Sequence, residues 1–286
     1  MSITKKRLLI YLGLSFGMAW LIFFVFIFTG HTWAGSSPEM LSLVSLGMLV
    51  PAVAHVITRK ITNEGFRLTG ENSMMLGIDL KGKKWIFFLL AMFLPVLYST
   101  LGDGIIWLFC PEAFGDATTS IFVVIIYPLI TVVYGVVLSF AAFGEEFGWR
   151  GYMMPKLIEL MGMPKAIIIG GIIWGLWHAP LTCVGHNFGM DYPGFPYFGI
   201  ILMCLFCTAL GTVLMYVTIK TNSIWPAAFM HAVNNTTPSV LLLFMKQDVE
   251  IPLWIHTLSL IPLLIIGLLC FSLMMNNMKF TQEHTR

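Results

Sequence analysis

Two adjacent glutamates stand in a part of the chain that is otherwise almost wholly apolar. Glu145 and Glu146 belong to the sequence Gly-Glu-Glu-Phe-Gly-Trp-Arg-Gly, which begins at Gly144. Arg150 follows Glu146 by four residues, with the acid N-terminal, which is the favourable orientation for an ion pair on one helix face. Glu145 lies about 100° further around the helix and is left without that partner. The spacing predicts a structural Glu146–Arg150 pair and a separate carboxylate, Glu145, available for chemistry.

Two histidines follow the same four-residue spacing. Trp174 and His178 share a face of one predicted helix, and Pro180 is expected to kink that helix beside His178. His231 and Asn235 share a face of a later predicted helix. Each motif therefore places a histidine next to a second group that can contact the same ligand.

The predicted depths of these groups match. Counted at about 1.5 Å per residue from the nearest lysine, Glu145 and His231 lie about 16 Å inside the cytoplasmic boundary, and His178 about 20 Å. Ionisable groups at such depth are costly and are usually functional or paired, so a shared site is the better interpretation. His55 lies in an earlier apolar stretch. We assign it no partner four residues away and interpret it as a packing residue.

Taken together, the three motifs resemble the CAAX endopeptidase and bacteriocin-processing family of intramembrane proteases, which includes the type II CAAX prenyl endopeptidases. The matching patterns are EExxxR at Glu145, Glu146 and Arg150, aromatic-xxx-His at Trp174 and His178, and HxxxN at His231 and Asn235. The family often has Phe or Tyr where this chain has Trp174. The resemblance covers residues 143–235, where we expect the catalytic motifs, and implies an intramembrane endopeptidase.

The chemistry that the resemblance implies agrees with the residue types. A carboxylate in apolar surroundings suits a general base acting on water, so Glu145, assisted by His178, is the predicted base. His231 and Asn235 are the predicted donors to the oxyanion of the tetrahedral intermediate. Glu146, Arg150 and Trp174 are predicted to support the site.

A metal-assisted mechanism is the rival interpretation. Glu145, His178 and His231 could supply a carboxylate and two imidazoles to zinc or another divalent metal, leaving a position open for water. The sequence contains no HExxH motif, and an Asn such as Asn235 is a more natural amide donor than zinc ligand. We expect no cofactor, and the metalloprotease alternative stays open at this point.

The composition defines the elements that must position these residues. Hydrophobic residues make up 58% of the chain and charged residues 10%, and the mean hydropathy is +0.86. A soluble domain has about 45–50% apolar and about 25% charged residues. We therefore predict an all-α membrane protein with one multi-span domain over residues 1–286. The net charge of +2 gives no reason to expect nucleic-acid binding.

Eight apolar stretches are long enough to cross a bilayer as helices, which takes about 20 residues. They cover approximately residues 8–28, 40–58, 85–109, 121–143, 166–184, 197–219, 223–244 and 253–275. The expected architecture is a polytopic bundle of about eight transmembrane helices, similar to that of the family.

The expected partners are membrane lipid and a peptide or protein substrate, either a lipidated protein or a bacteriocin-like precursor. The competing function is non-catalytic, as a transporter or a bacteriocin immunity-type membrane protein with the same fold. A transporter usually has corresponding broken helices in two halves, whereas the polar residues here cluster in the fourth, fifth and seventh stretches. We expect a multi-pass protein of a bacterial cell membrane.

The distribution of basic residues predicts the orientation. All 16 Lys and Arg residues except Lys246 fall at the termini or in loops on one side of the eight-span arrangement. Cytoplasmic loops carry the excess of basic residues, so both termini are predicted to be cytoplasmic. Reporter fusions after Lys6 and after Lys279 should therefore both give cytoplasmic signals. A signal from the opposite side at either position would contradict the eight-span arrangement.

Overall fold

The computed structural model describes residues 1–30, 38–68, 70, 72–115, 120–246 and 249–284, with the side chains of 38–41 and 277–284 outside the description. Every named element in these ranges is helical. The helices are α1 (Ile3–Phe28), α2 (Pro38–Ile61), α3 (Lys84–Phe109), α4 (Ile121–Val137), α5 (Ser139–Gly148), α6 (Met154–Met161), α7 (Met163–Trp177), α8 (Ala179–Thr182), α9 (Tyr197–Thr221), α10 (Trp225–Asn235), α11 (Leu253–Ser259) and α12 (Ile261–His284). Short 3-10 turns cover Pro111–Ala113 and Val240–Phe244.

The predicted all-α polytopic membrane architecture is confirmed. Five helical segments in the described ranges are long and apolar enough to cross a bilayer: Ile3–Phe28, Ser42–Ile61, Lys84–Phe109, Tyr197–Thr221 and Leu253–Asn276. The pair formed by α4 and the segment Ser139–Met161 is bent by 59° and makes a sixth crossing if it is counted as one span. The chain is therefore a multi-pass integral membrane protein.

Two of the eight predicted stretches hold helices shorter than a full crossing. Helix α7 has 15 residues and α10 has 11. Helix α7 ends at Trp177, because Pro180 cannot donate a backbone hydrogen bond. This break lies where the sequence predicts a kink. Helix α10 ends at Asn235, three residues before Pro238. Helix α7 therefore ends next to the predicted site residue His178, and α10 ends at the predicted site residue Asn235.

The fourth stretch also differs from its prediction. The sequence suggests one helix that Pro155 stops, but α5 passes through a π-helical turn, Trp149–Met153, into α6, which extends to Met161. Pro155 lies in the first turn of α6, where a missing N–H is tolerated. The Met154 N–H bonds to the Trp149 carbonyl, which gives the wider turn. Such turns are frequent at functional sites.

Several predicted cytoplasmic segments meet at one end of the bundle. Lys156 of α6 contacts Glu64, which follows α2, at 2.7 Å, and Arg7 of α1 lies 3.5 Å from the same carboxylate. Desolvation raises the pKa of the Glu64 carboxyl, but hydrogen bonds from Lys156 and Tyr152 outweigh it and leave the pKa below its usual value. Lys156 therefore lies in a buried ion pair at this end of the bundle.

Glycines allow the helices that carry the site to approach closely. A Cβ at Gly144 of α5 would lie 2.6 Å from the Met48 carbonyl oxygen of α2. A Cβ at Gly175 of α7 would lie 2.5 Å from Cys204 Cα of α9. No side chain fits at either position, so α5 packs directly on the α2 backbone and α7 on that of α9.

Candidate active site

Glu145 is buried among neutral hydrogen-bond donors. Its side chain is 1% exposed, and Oε2 accepts from the indole Nε1 of Trp149 at 3.1 Å and of Trp174 at 2.6 Å. Trp149 occupies the position four residues after Glu145, where the sequence offers no charged partner. Trp174 was predicted only as a supporting aromatic wall, and the structure makes it a donor to Glu145. Neither indole neutralises the carboxylate.

Glu146 lies in an ionic cluster. Its Oε1 accepts from Arg150 at 2.9 Å, which confirms the predicted ion pair, and lies 2.8 Å from Nδ1 of His231. Glu146 is 0% exposed and Arg150 3% exposed. One carboxylate oxygen thus connects α5, the π-helical turn and α10.

Arg150 links the surroundings of the two glutamates. Its guanidinium carbon lies 4.2 Å from the centre of the Trp174 ring, the ring whose N–H donates to Glu145. A Cβ at Gly211 of α9 would lie 2.9 Å from an Arg150 nitrogen, so the glycine leaves room for the guanidinium. The cation is held by a carboxylate on one side and an aromatic face on the other.

His178 is held in one tautomer by the end of α7. Its Nδ1 lies 2.9 Å from the Trp174 carbonyl oxygen, which can only accept, so Nδ1 carries the hydrogen. Nε2 then carries a lone pair and can accept a proton. The break before Pro180 leaves this histidine at the helix terminus, beside the cavity described next.

A cavity of about 530 Å³ brings together all four predicted catalytic residues, Glu145, His178, His231 and Asn235. Trp174 also lines it, whereas Glu146 and Arg150 do not. The structure therefore separates the adjacent glutamates: Glu145 faces the cavity, and Glu146 lies behind its wall.

Asn235 is oriented by a chain of hydrogen bonds that the sequence does not reveal. Tyr98 of α3 donates to Asn234 Oδ1 at 2.7 Å, and Asn234 Nδ2 donates to Asn235 Oδ1 at 3.2 Å. The Asn235 amide N–H groups remain available at the cavity. His231 differs from the prediction, because its Nδ1 is already bonded to Glu146 and only Nε2 remains for a ligand.

His186 is a further cavity residue that sequence reasoning missed. Its ring stacks on that of His178, with centres 5.9 Å apart and an interplanar angle of 10°, and it lines the same cavity. It lies in the loop after α8, so no helical spacing connects it to His178. Only the path of the loop reveals the contact.

The zinc set considered from the sequence does not form. In the part of the chain that the structure describes, no three His, Cys, Asp or Glu side chains are grouped as metal ligands. The donor geometry does not fit a metal, so we derive no step through one.

His55 has a structural role that we misassigned from the sequence. Arg59, four residues later, donates from Nε to His55 Nε2 at 2.7 Å, and His55 Nδ1 lies 2.9 Å from the Phe147 carbonyl oxygen. Arg59 also donates to the carbonyls of Gly65 and Asn72, both at 2.8 Å. The four-residue spacing that identifies the other polar pairs therefore also connects His55 with Arg59. The pair ties the segment after α2 to the residue that follows Glu146.

We predict that His55 and Arg59 are energetically coupled. In a double-mutant cycle of His55→Ala and Arg59→Ala, the free energies of unfolding should be non-additive by about 1–3 kcal/mol, because either change removes the same buried, charged hydrogen bond. Unfolding of the purified protein in detergent gives the values. His55→Ala combined with Asn276→Ala, on the exposed side of α12, is the additive control. Additivity in the first cycle would contradict the coupling.

The comparisons with known proteins agree with the resemblance seen in the motifs. Residues 126–237 match the family model of the Type II CAAX prenyl endopeptidase Rce1-like proteins, an interval that holds every predicted site residue. A CAAX prenyl protease 2 of Methanococcus maripaludis is 45% identical over 51 residues, which are 18% of this chain and 19% of that protein. The match thus spans about a fifth of this curated relative. Over residues 126–237 the chain is therefore similar to the Rce1-like type II CAAX prenyl endopeptidases.

Proposed function

We propose that the protein is an intramembrane endopeptidase that hydrolyses a peptide bond of a membrane-associated protein or peptide. The observation that carries the proposal is the separation of the two glutamates. Glu145 faces the cavity with His178, His231 and Asn235, whereas the carboxylate that balances Arg150 lies behind the wall. The similarity of residues 126–237 to the Rce1-like type II CAAX prenyl endopeptidases supports the same activity.

In the proposed first step, Glu145 takes a proton from a water molecule, whose oxygen attacks the carbonyl carbon of the substrate. The indoles of Trp149 and Trp174 hold the carboxylate in place without neutralising it. His178 assists through Nε2, which can orient the water because its Nδ1 hydrogen is bonded to the Trp174 carbonyl.

The tetrahedral intermediate carries its negative charge on the former carbonyl oxygen. Asn235 donates to this oxygen from its side-chain amide, and His231 donates from Nε2 when its ring carries both protons. Glu146 Oε1 accepts the Nδ1 hydrogen of that ring. When the carbon–nitrogen bond breaks, the proton held by Glu145 passes to the leaving amine, and the base is regenerated.

We propose that this reaction needs no cofactor, since the cavity residues supply a base, a proton acceptor and two oxyanion donors. The proposed substrates are lipidated proteins and bacteriocin-like precursors, both of which present a peptide bond beside an apolar segment. Both termini are proposed to face the cytoplasm of a bacterial cell.

The test is cleavage of a peptide library by purified protein in lipid nanodiscs, with and without a chelator and with elemental analysis. Cleavage that persists without bound metal is the expected result. Stoichiometric zinc that is lost in His231→Ala, together with chelator-sensitive cleavage, would overturn the metal-free mechanism. Absence of cleavage by a folded protein would favour the non-catalytic alternative.

We predict that Asn235→Ala lowers kcat by about 100-fold to 1000-fold with little change in KM, because one donor to the developing charge is lost. Residual turnover should survive. Asn276→Ala removes an exposed amide on α12 and is the matched control. An unchanged kcat, or a loss confined to KM, would show that Asn235 is not an oxyanion donor.

A further inference from the structure

We infer that the cavity contains a subsite for a positively charged side chain of the substrate, with Asp103 as its recognition residue. This inference rests on the proposed function and names the substrate class. Asp103 lies on α3 and lines the same cavity as Glu145. It is therefore a second acidic residue in the space that would hold the peptide.

The charge of the cavity points to a cation. Its described lining contains the carboxyl groups of Glu145 and Asp103, no Lys or Arg, and His231, whose ring faces the Glu146 carboxylate behind the wall. Glu145 has two indole donors, whereas Asp103 has no ion-pair partner among the described residues. A carboxylate at membrane depth is usually paired. We therefore expect a cation of the substrate to form an ion pair with Asp103.

The groups around Asp103 are suited to an ammonium or guanidinium group. Ser239 lies beside Asp103 and lines the cavity. A Cβ at Gly102 would lie 2.6 Å from the Ser259 carbonyl oxygen, so the glycine lets that oxygen reach the same part of α3. A carboxylate, a hydroxyl and a carbonyl are three acceptors, and a lysine ammonium has three N–H donors to match them.

The position of Asp103 on α3 locates the charged residue in the substrate. Tyr98 contacts Asn234, the neighbour of the oxyanion donor Asn235. Asp103 follows Tyr98 by five residues, which is about 7.5 Å along the helix. An extended peptide covers that distance in about two residues. The preferred substrate therefore carries Lys or Arg about two residues from the cleaved bond.

The cleavage experiment uses capped apolar octapeptides in which lysine, norleucine or glutamate is placed at each position in turn. The wild type should prefer lysine over norleucine by about tenfold or more in kcat/KM at a position about two residues from the cut, as expected for a charged hydrogen bond. Asp103→Asn should remove most of this ratio, and Asp103→Lys should shift the preference to glutamate. Asp191→Asn, the same change at an exposed residue outside the cavity, should keep the ratio.

A binding experiment separates this inference from the proposed function. Fluorescent versions of the peptides are titrated onto Glu145→Gln and onto Glu145→Gln combined with Asp103→Asn. A lysine preference in binding that depends on Asp103, without cleavage by the wild type, would overturn the endopeptidase and support the subsite. Cleavage with equal rates for lysine and norleucine at every position would overturn the subsite alone. Neither cleavage nor a binding preference would overturn both.

Discussion

The contact on which the rest of the site depends is the buried carboxylate of Glu146. Its Oε1 holds both Arg150 and His231, so one atom fixes α10 against the turn that follows α5. Removing one partner of such a buried ionic group costs about 3–5 kcal/mol, because the other charge is left uncompensated. Arg150 in turn lies against Trp174, whose indole donates to Glu145. The surroundings of the proposed base are thus set through the glutamate beside it.

The membrane explains why the site lies where two helices end. Backbone groups freed at a helix end are tolerated at membrane depth only inside protein or beside a cavity. Helix α7 ends within the bundle at Trp177, next to His178, and α10 ends at Asn235; His178 and Asn235 both line the cavity. The longer helices enclose these ends. A prolyl residue follows each end, so the same sequence features that stop the helices also expose the polar side chains.

Much of this arrangement follows from four-residue spacing. It predicts the pair of Glu146 with Arg150, because that pair depends on a single helix. The apolar stretches predict the helical segments, and counting residues from the nearest lysine predicts a similar depth for the cavity residues. None of these patterns can predict contacts that depend on how helices face one another. The Trp174 indole reaches Glu145 from another helix, and His186 reaches the cavity from a loop. The sequence also does not predict that the helix continues past Pro155, because no sequence pattern marks the π-helical turn that precedes this residue.

Glu145 and Glu146 are proposed to have different tasks, and a paired measurement on two variants distinguishes these tasks. The turnover rate and the melting temperature are measured for purified Glu145→Gln and Glu146→Gln with the best peptide of the library. Glu145→Gln should melt close to the wild type and show no turnover, since it loses the base and keeps the ionic cluster. Glu146→Gln should melt at a lower temperature and retain turnover in the folded fraction. A folded but inactive Glu146→Gln beside an active Glu145→Gln would show that Glu146, and not Glu145, is the base.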